Sequence, residues 1–262
     1  MAVVGPTVAI ARPAPSFAPG YDVSYPQCGL TLPSPAAFAV VGVNGGKDGT
    51  RNHCLKKELA WAKKFSGVNA QPAVSLYVNT DDPGTQSSNW PKNSVDLQSG
   101  DPVRDRYGSC SGGDTQACAW QYGWNMAERD ERRDGVTSPL SYAWWLDAEA
   151  TNTWQSDRRL NRADLTGMAD YFQTLGVKVG LYSTWLQWPQ IVGAITAPSP
   201  LLGLPEWVTG SSTEANAEAS CWQDQFMPGG DIVLSQWYTS SSLFDGDVTC
   251  PASGFRRIRV EY

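Results

Sequence analysis

Between residues 20 and 250, short apolar runs alternate with segments whose apolar residues recur every three or four positions. The apolar runs predict strands at 20–24, 38–44 (FAVVGVN), 72–78 (PAVSLYV), 141–149 (SYAWWLDAE) and 177–183 (VKVGLYS). Further strands are predicted at 204–208, 232–237 and 245–250. The periodic segments predict helices at 54–65, 115–133 and 161–175, with a shorter helical stretch at 186–195. Asn161 is the expected N-cap of the third helix and Gly176 its C′ residue. Asp134-Gly135 marks the end of the second.

Strand–helix alternation with buried runs predicts parallel β-structure and an α/β class. About eight strands in one unit suit a single (β/α) TIM-type barrel, incomplete or irregular in places. A doubly wound open sheet is the alternative. Residues 80–118 fall outside the pattern and predict a long insertion, because a connection of that length is rare in a compact domain. No linker divides the chain, so residues 20–262 are expected to form one domain.

Of the 262 residues, 41% are hydrophobic, 18% are charged and twelve are Trp. That composition excludes disorder and a coiled coil. The net charge of −6 offers no basic footprint for nucleic acid. No run reaches the roughly 18 apolar residues of a membrane span. No GxGxxG, GxxxxGK[ST] or HExxH is present, so nucleotide binding and zinc hydrolysis lose support.

The six cysteines, Cys28, Cys54, Cys110, Cys118, Cys221 and Cys250, contain no CxxC pair. An even count in turn-rich sequence fits three disulfides in an oxidising compartment, although six buried thiols would also satisfy it. Fifteen pairings are possible. The sequential set, Cys28–Cys54, Cys110–Cys118 and Cys221–Cys250, is the one expected here. Residues 1–19 read either as the remnant of a signal peptide, with Ala9-Ile10-Ala11 as its small-x-small site, or as an Ala/Pro-rich tail. With the cysteines, the expected location is extracellular.

Chemistry in a barrel gathers at the carboxyl ends of its strands. Asp22, Asp147, Glu149, Asp245 and Asp247 fall on or near three predicted strands. Asp147 and Glu149, two apart, would share a face, with Cα atoms roughly 6–7 Å apart. Carboxyls that close repel as anions, so one retains its proton, and an acid beside an anion is what glycosidic cleavage requires. Trp145 would share that face and lower the local dielectric. A cation held by Asp22, Asp147 and Asp247 is a weaker alternative. His53, the only histidine, lies beside Cys54 at a predicted helix start and is read as a surface residue.

Gly20-Tyr21-Asp22-Val23-Ser24-Tyr25-Pro26-Gln27 resembles the opening G-[IY]-D-V-S-x-x-[QN] of glycoside hydrolase family 25, the lysozymes of N-acetylmuramidase type. Residues 38–46 are similar to that family's second strand. Trp145-Leu146-Asp147-Ala148-Glu149 resembles its D-x-E strand, and Gly180-Leu181-Tyr182-Ser183 its G-x-Y-[ST] strand. Gln236 and Asp245-Gly246-Asp247 stand where the family has its W-Q-Y and final V-D segments. The chain departs from the pattern in Ser235-Gln236-Trp237, in the lack of a basic residue at 38–46, and in the insertion, which is foreign to the small lysozymes.

The resemblance implies a β/α barrel that cleaves the β-1,4 bond after N-acetylmuramic acid in peptidoglycan. It implies Glu149 as general acid and Asp147 as the group that stabilises the intermediate or assists the substrate's acetamido group. Asp22 and Asp247 would support them, and Tyr182 would contact the sugar. Trp154, Trp185 and Trp188 follow predicted strand ends and, with Trp145, Gln236 and Asp245, are the expected sugar contacts. Trp144 should pack beneath the helices, as should Trp61, Trp120 and Trp124 on theirs. A monomer acting on a glycan polymer, peptidoglycan or a related N-acetylated polysaccharide, is expected, without metal or cofactor. The alternative is a wall-carbohydrate-binding barrel that has lost turnover, since indole faces also stack on sugars.

Overall fold

A computed structural model describes residues 17–68, 71–238 and 242–251. The start of the chain up to residue 16 and the basic segment Arg256–Arg259 lie outside the described residues. Eight strands close into a barrel in chain order: β1 (Pro19–Val23), β2 (Phe38–Gly42), β3 (Val74–Asn79), β4 (Ala143–Asp147), β5 (Lys178–Ser183), β6 (Glu206–Ser211), β7 (Ile232–Trp237) and β8 (Asp245–Thr249). Among the described residues five α-helices accompany them: α1 (Leu55–Ala62), α2 (Gln116–Glu131), α3 (Arg158–Thr174), α4 (Gln187–Ile191) and α5 (Glu214–Ser220). The predicted α/β barrel is present, and it is irregular.

The irregularity has a physical cause. β1 to β7 pair in parallel, but β8 runs antiparallel to both β7 and β1. Only residues 238–244 join β7 to β8. A parallel crossover needs a dozen or more residues, so the chain must turn back on itself. The all-parallel expectation is therefore corrected at the last strand.

Two other boundaries differ. α3 begins at Arg158, capped by the Asp157 carboxylate, which accepts from the Arg159 amide. Asn161 lies inside the helix instead, and its buried amide donates to the Gln155 and Ile191 carbonyls at 2.9 Å each. α5 was not anticipated. It starts at Thr213, whose hydroxyl accepts from the Asn216 amide. Gly176 ends α3 with φ +72°, as expected of a C′ glycine.

The strand period divides the apolar side chains into two layers. Outward residues of the sheet meet the helices in the larger core, where Trp144 stacks on Phe172 of α3 at 4.5 Å. Trp61 and Trp120 belong to it, and Trp124 packs against it. α2 and α3 approach to backbone contact: a Cβ on Gly123 would lie 2.0 Å from the Asp164 carbonyl oxygen, and one on Gly167 1.9 Å from that of Trp120. Inward residues, among them Phe38, Val40, Ala143, Trp145, Tyr182, Trp207 and Leu234, fill the barrel. Among the described residues, no helix is long and apolar enough to cross a membrane.

All three disulfides of the sequential set are present. Cys28–Cys54 ties the segment after β1 to the start of α1. Cys110–Cys118 ties the insertion to α2. Cys221–Cys250 ties the end of α5 to the residue after β8. The insertion is a packed structure: Trp90 is buried against Tyr122 of α2, and its indole donates to the Gly113 carbonyl at 3.2 Å.

Candidate active site

Register places the acids. Asp22, the penultimate residue of β1, stands directly opposite Asp245, the first residue of β8. Opposed residues of an antiparallel pair share a face. On that face Asp247 opposes Gly20 of β1 and Gln236 of β7. Asp147 ends β4 and pairs with Asn79 of β3 and Tyr182 of β5. Because β8 is reversed, its first residues lie at the same end of the barrel as the last residues of β1, β4 and β7. Four carboxyls thus line one mouth, and Glu149, two residues beyond β4, stands at its rim.

Depth separates their roles. Asp247 is wholly buried, Asp22 and Asp147 nearly so, while Glu149 and Asp245 are half-buried. Gln236 Nε2 donates to Asp22 Oδ2 at 2.9 Å. Its Oε1 accepts from the Tyr182 hydroxyl at 2.8 Å and from the Thr209 hydroxyl. Trp207 Nε1 donates to Asp247 Oδ1 at 2.8 Å. Asp247 Oδ2 is buried without an N–H or hydroxyl partner among the described residues. Asp22 lies close enough to raise the proton affinity of Asp247, which suits this oxygen to carrying a proton.

The electrostatics follow from burial and crowding. Burial, then the charge of Asp245, pushes Asp22 up to about 8. Burial, then Asp22, holds Asp247 well above the usual carboxylate range. Asp147 is raised well above it by burial, then by Glu149 and Asp22. Glu149 is raised by burial and then by Asp245. Asp245 itself is raised by burial. Such a cluster keeps protons near neutral pH and can donate one at its rim. Among the described residues, no group of three or more acids, histidines or cysteines is arranged to hold a metal ion.

The barrel interior supports this mouth through glycine–aromatic pairs. Trp145 pairs with Gly180 of β5, and its ring covers the place a Cβ would take, 2.3 Å from the nearest ring atom. The ring meets Trp207 edge-on at 5.8 Å, and Tyr182 meets Trp207 at 4.5 Å. Asp147, Tyr182 and the Trp207 donor therefore rest on one packed layer.

A family model described as Lysozyme-like protein 1 matches residues 141–226, which include Asp147, Glu149, Tyr182 and Trp185. A muramidase from Trichobolus zukalii is similar in structure over 88% of this chain and 93% of its own, at 15% identity and a TM-score of 0.54. A family 25 glycosyl hydrolase from Bacillus anthracis is similar over 94% of each chain, at 13% identity and a TM-score of 0.51. The modular Cpl-1 endolysin, in complex with a peptidoglycan analogue, is similar over 90% of this chain and 55% of its own, at 14% identity and a TM-score of 0.53. The chain has a family 25 lysozyme-type fold. No curated protein matches it by sequence.

In this lysozyme-type barrel the expected site residues do not all meet. Asp22, Asp147, Glu149, Asp245, Asp247, Gln236 and Tyr182 come together. Trp145 and Trp188 do not reach the surface: Trp145 is wholly buried below Asp147, and Trp188 packs on Phe226 at 5.3 Å. Both are packing residues, because period two turns Trp145 into the closed interior and α4 turns Trp188 inward. Trp154 is half-buried, and its indole donates to the Glu149 carbonyl at 2.7 Å, bracing the turn that carries Glu149. Trp185 is half-buried and lines a cleft of about 390 Å³ with Thr209, Gly210 and Ser211. Trp207, Thr209 and Tyr77 were not anticipated. Tyr77, raised well above its ordinary range by burial and then by Asp22, lies near the acids. Alternation along β6, once its extent is known, would have pointed Trp207 and Thr209 inward.

Proposed function

We propose that this protein is a glycoside hydrolase that cleaves the β-1,4 bond after N-acetylmuramic acid in peptidoglycan. The observation that carries the reading is the set of five carboxyls on one mouth of a lysozyme-type barrel, graded from a buried pair to an accessible acid. Glu149 is the proton donor: it is the rim acid, and its raised affinity for a proton suits a general acid. Its proton passes to the glycosidic oxygen as the bond to C1 breaks. Asp147 lies below it and stabilises the positive charge that develops at C1, or holds the acetamido group of the sugar as its oxygen attacks. Water then resolves the intermediate.

Asp22 and Asp247 act as a proton-sharing pair beneath the sugar, fixed by Gln236 and Trp207. Tyr182 and Asp245 border the reacting ring, and Trp185 offers an indole face along the adjoining cleft. The low charge of the chain suits this role, because a sugar is held by ring faces and hydrogen bonds. Three disulfides fit a secreted protein, and a monomer is sufficient, since one barrel carries the whole site.

Incubation with purified peptidoglycan tests this reading. New reducing ends that accumulate in proportion to protein support it. Saturable binding without new reducing ends would establish the alternative, a binding barrel without turnover.

A further inference from the structure

A second cleft, of about 850 Å³, lies between the loop after β2, the start of α1 and the end of α2. Asn52, in its wall, donates to the carbonyl of Gly42 at 2.8 Å, which anchors the cleft beside the carboxyl end of β2. Arg51, His53, Lys56, Arg129, Arg132 and Arg133 line it. Against these stand Glu128 and Asp134. Five permanent cations face two anions, an excess of three in a chain whose net charge is −6.

The pairing within the cleft is incomplete. Lys56 meets Asp134 at 2.8 Å in an exposed pair, and Arg132 lies 3.7–3.9 Å from Glu131 and Glu128. Arg133 Nε is held by the buried Asp130 at 3.0 Å, which leaves its buried Nη2 without an acceptor. Arg129 Nη1 donates to the neutral Asn89 side chain at 2.6 Å. Arg51 is exposed and has no side-chain partner among the described residues. Of the buried acids nearby, Asp130 is raised by burial and partly offset by Arg133 and Arg129, and Glu128 is raised by burial and partly offset by Arg132, whereas Asp48 and Asp164 are raised by burial and by other acids.

Guanidinium groups present paired N–H donors that match the oxygens of phosphate, and several converging cations favour a ligand with concentrated negative charge. The lining contains no Phe, Tyr or Trp, so the broad aromatic platform on which nucleobases usually stack is missing. Val43, Leu55 and Leu97 supply apolar wall instead, suited to an aliphatic or sugar moiety. We infer that this cleft binds a phosphate group carried on a polyol or sugar, at a site separate from the acidic mouth.

Calorimetric titration of the full chain at low and at high salt tests the inference. The probes are sn-glycerol 3-phosphate, a glycerol phosphodiester oligomer, and citrate as a carboxylate control. At least one phosphate probe is expected to bind saturably at low salt and more weakly at high salt. The two phosphate arms separate a monoester from a polymer as the source. Arg51→Gln with Arg129→Gln should weaken that binding about tenfold or more, because two charge-assisted contacts are removed. Arg132→Gln, at an exposed position, gives a second reading should the first variant unfold at a lower temperature. The inference is overturned if neither phosphate probe binds, if citrate binds as tightly, or if the folded variants bind like the parent.

Discussion

Gln236 and Asp22, 214 positions apart in sequence, are joined by a 2.9 Å hydrogen bond across the β7–β8–β1 seam of the barrel. The same amide accepts the Tyr182 and Thr209 hydroxyls, so one side chain links β1, β5, β6 and β7. Gln236→Leu removes the donor to Asp22 and the acceptor of two hydroxyls. Leaving buried polar groups unpaired costs about 1–3 kcal/mol each. A loss of about 2 kcal/mol or more in urea unfolding is expected, and an unchanged midpoint would show that the amide is not structural.

Glu149 owes part of its raised proton affinity to Asp245. General-acid activity falls as pH rises through the donor's pKa. Asp245→Asn removes a neighbouring negative charge, so the alkaline limb of the pH–rate profile should move to lower pH. A limb that stays in place, or moves upward, would contradict the assigned neighbour.

The buried acids set the direction of the stability–pH dependence. Asp22 is raised to about 8, Glu206 to about 7, and Asp82 and Asp130 to about 6, burial being the largest cause in each. A folded-state pKa above the unfolded value means that the folded protein binds more protons. That contribution is complete below the unfolded pKa, near 4, and is lost as pH rises through the folded values. Calorimetry should therefore find the unfolding temperature higher at pH 5 than at pH 8 by several degrees. The opposite order would refute the assignment of these shifts.

Gly180 makes room for Trp145. Gly180→Ala would place a Cβ 2.3 Å from the indole and 2.9 Å from the Pro205 carbonyl oxygen. The ring cannot move without disturbing Trp207, which it meets edge-on. A cost of about 1–3 kcal/mol is expected from overpacking, with loss of activity. Thermal unfolding and wall lysis measured on the same sample check both.

Much of this arrangement was legible in the sequence. The apolar runs marked all eight strands because each is buried on at least one face, and the cysteines paired in order, each with the cysteine nearest to it in sequence, 26, 8 and 29 residues away. The acids were found by motif. Their convergence depended on something the pattern does not encode, the reversal of β8, which follows from the short 238–244 connection. Asp157 was passed over as a cap because Asn161 offers the same chemistry four residues later. Trp188 was misplaced because position relative to a strand end does not tell a rim indole from a packed one, while Trp145 faces the barrel interior as expected but is too deeply buried to reach a sugar. α5 escaped because seven residues are too few to show a period.

The central claim is that Glu149 donates the proton that breaks a wall glycosidic bond. The direct measurement is the rate of turbidity loss of a peptidoglycan suspension with the parent chain and with Glu149→Gln, each confirmed to be folded. The amide keeps the shape and cannot donate a carboxyl proton, so the variant should lose about 10²–10⁴-fold in rate. A Glu149→Gln protein that lyses walls as fast as its parent would contradict the account.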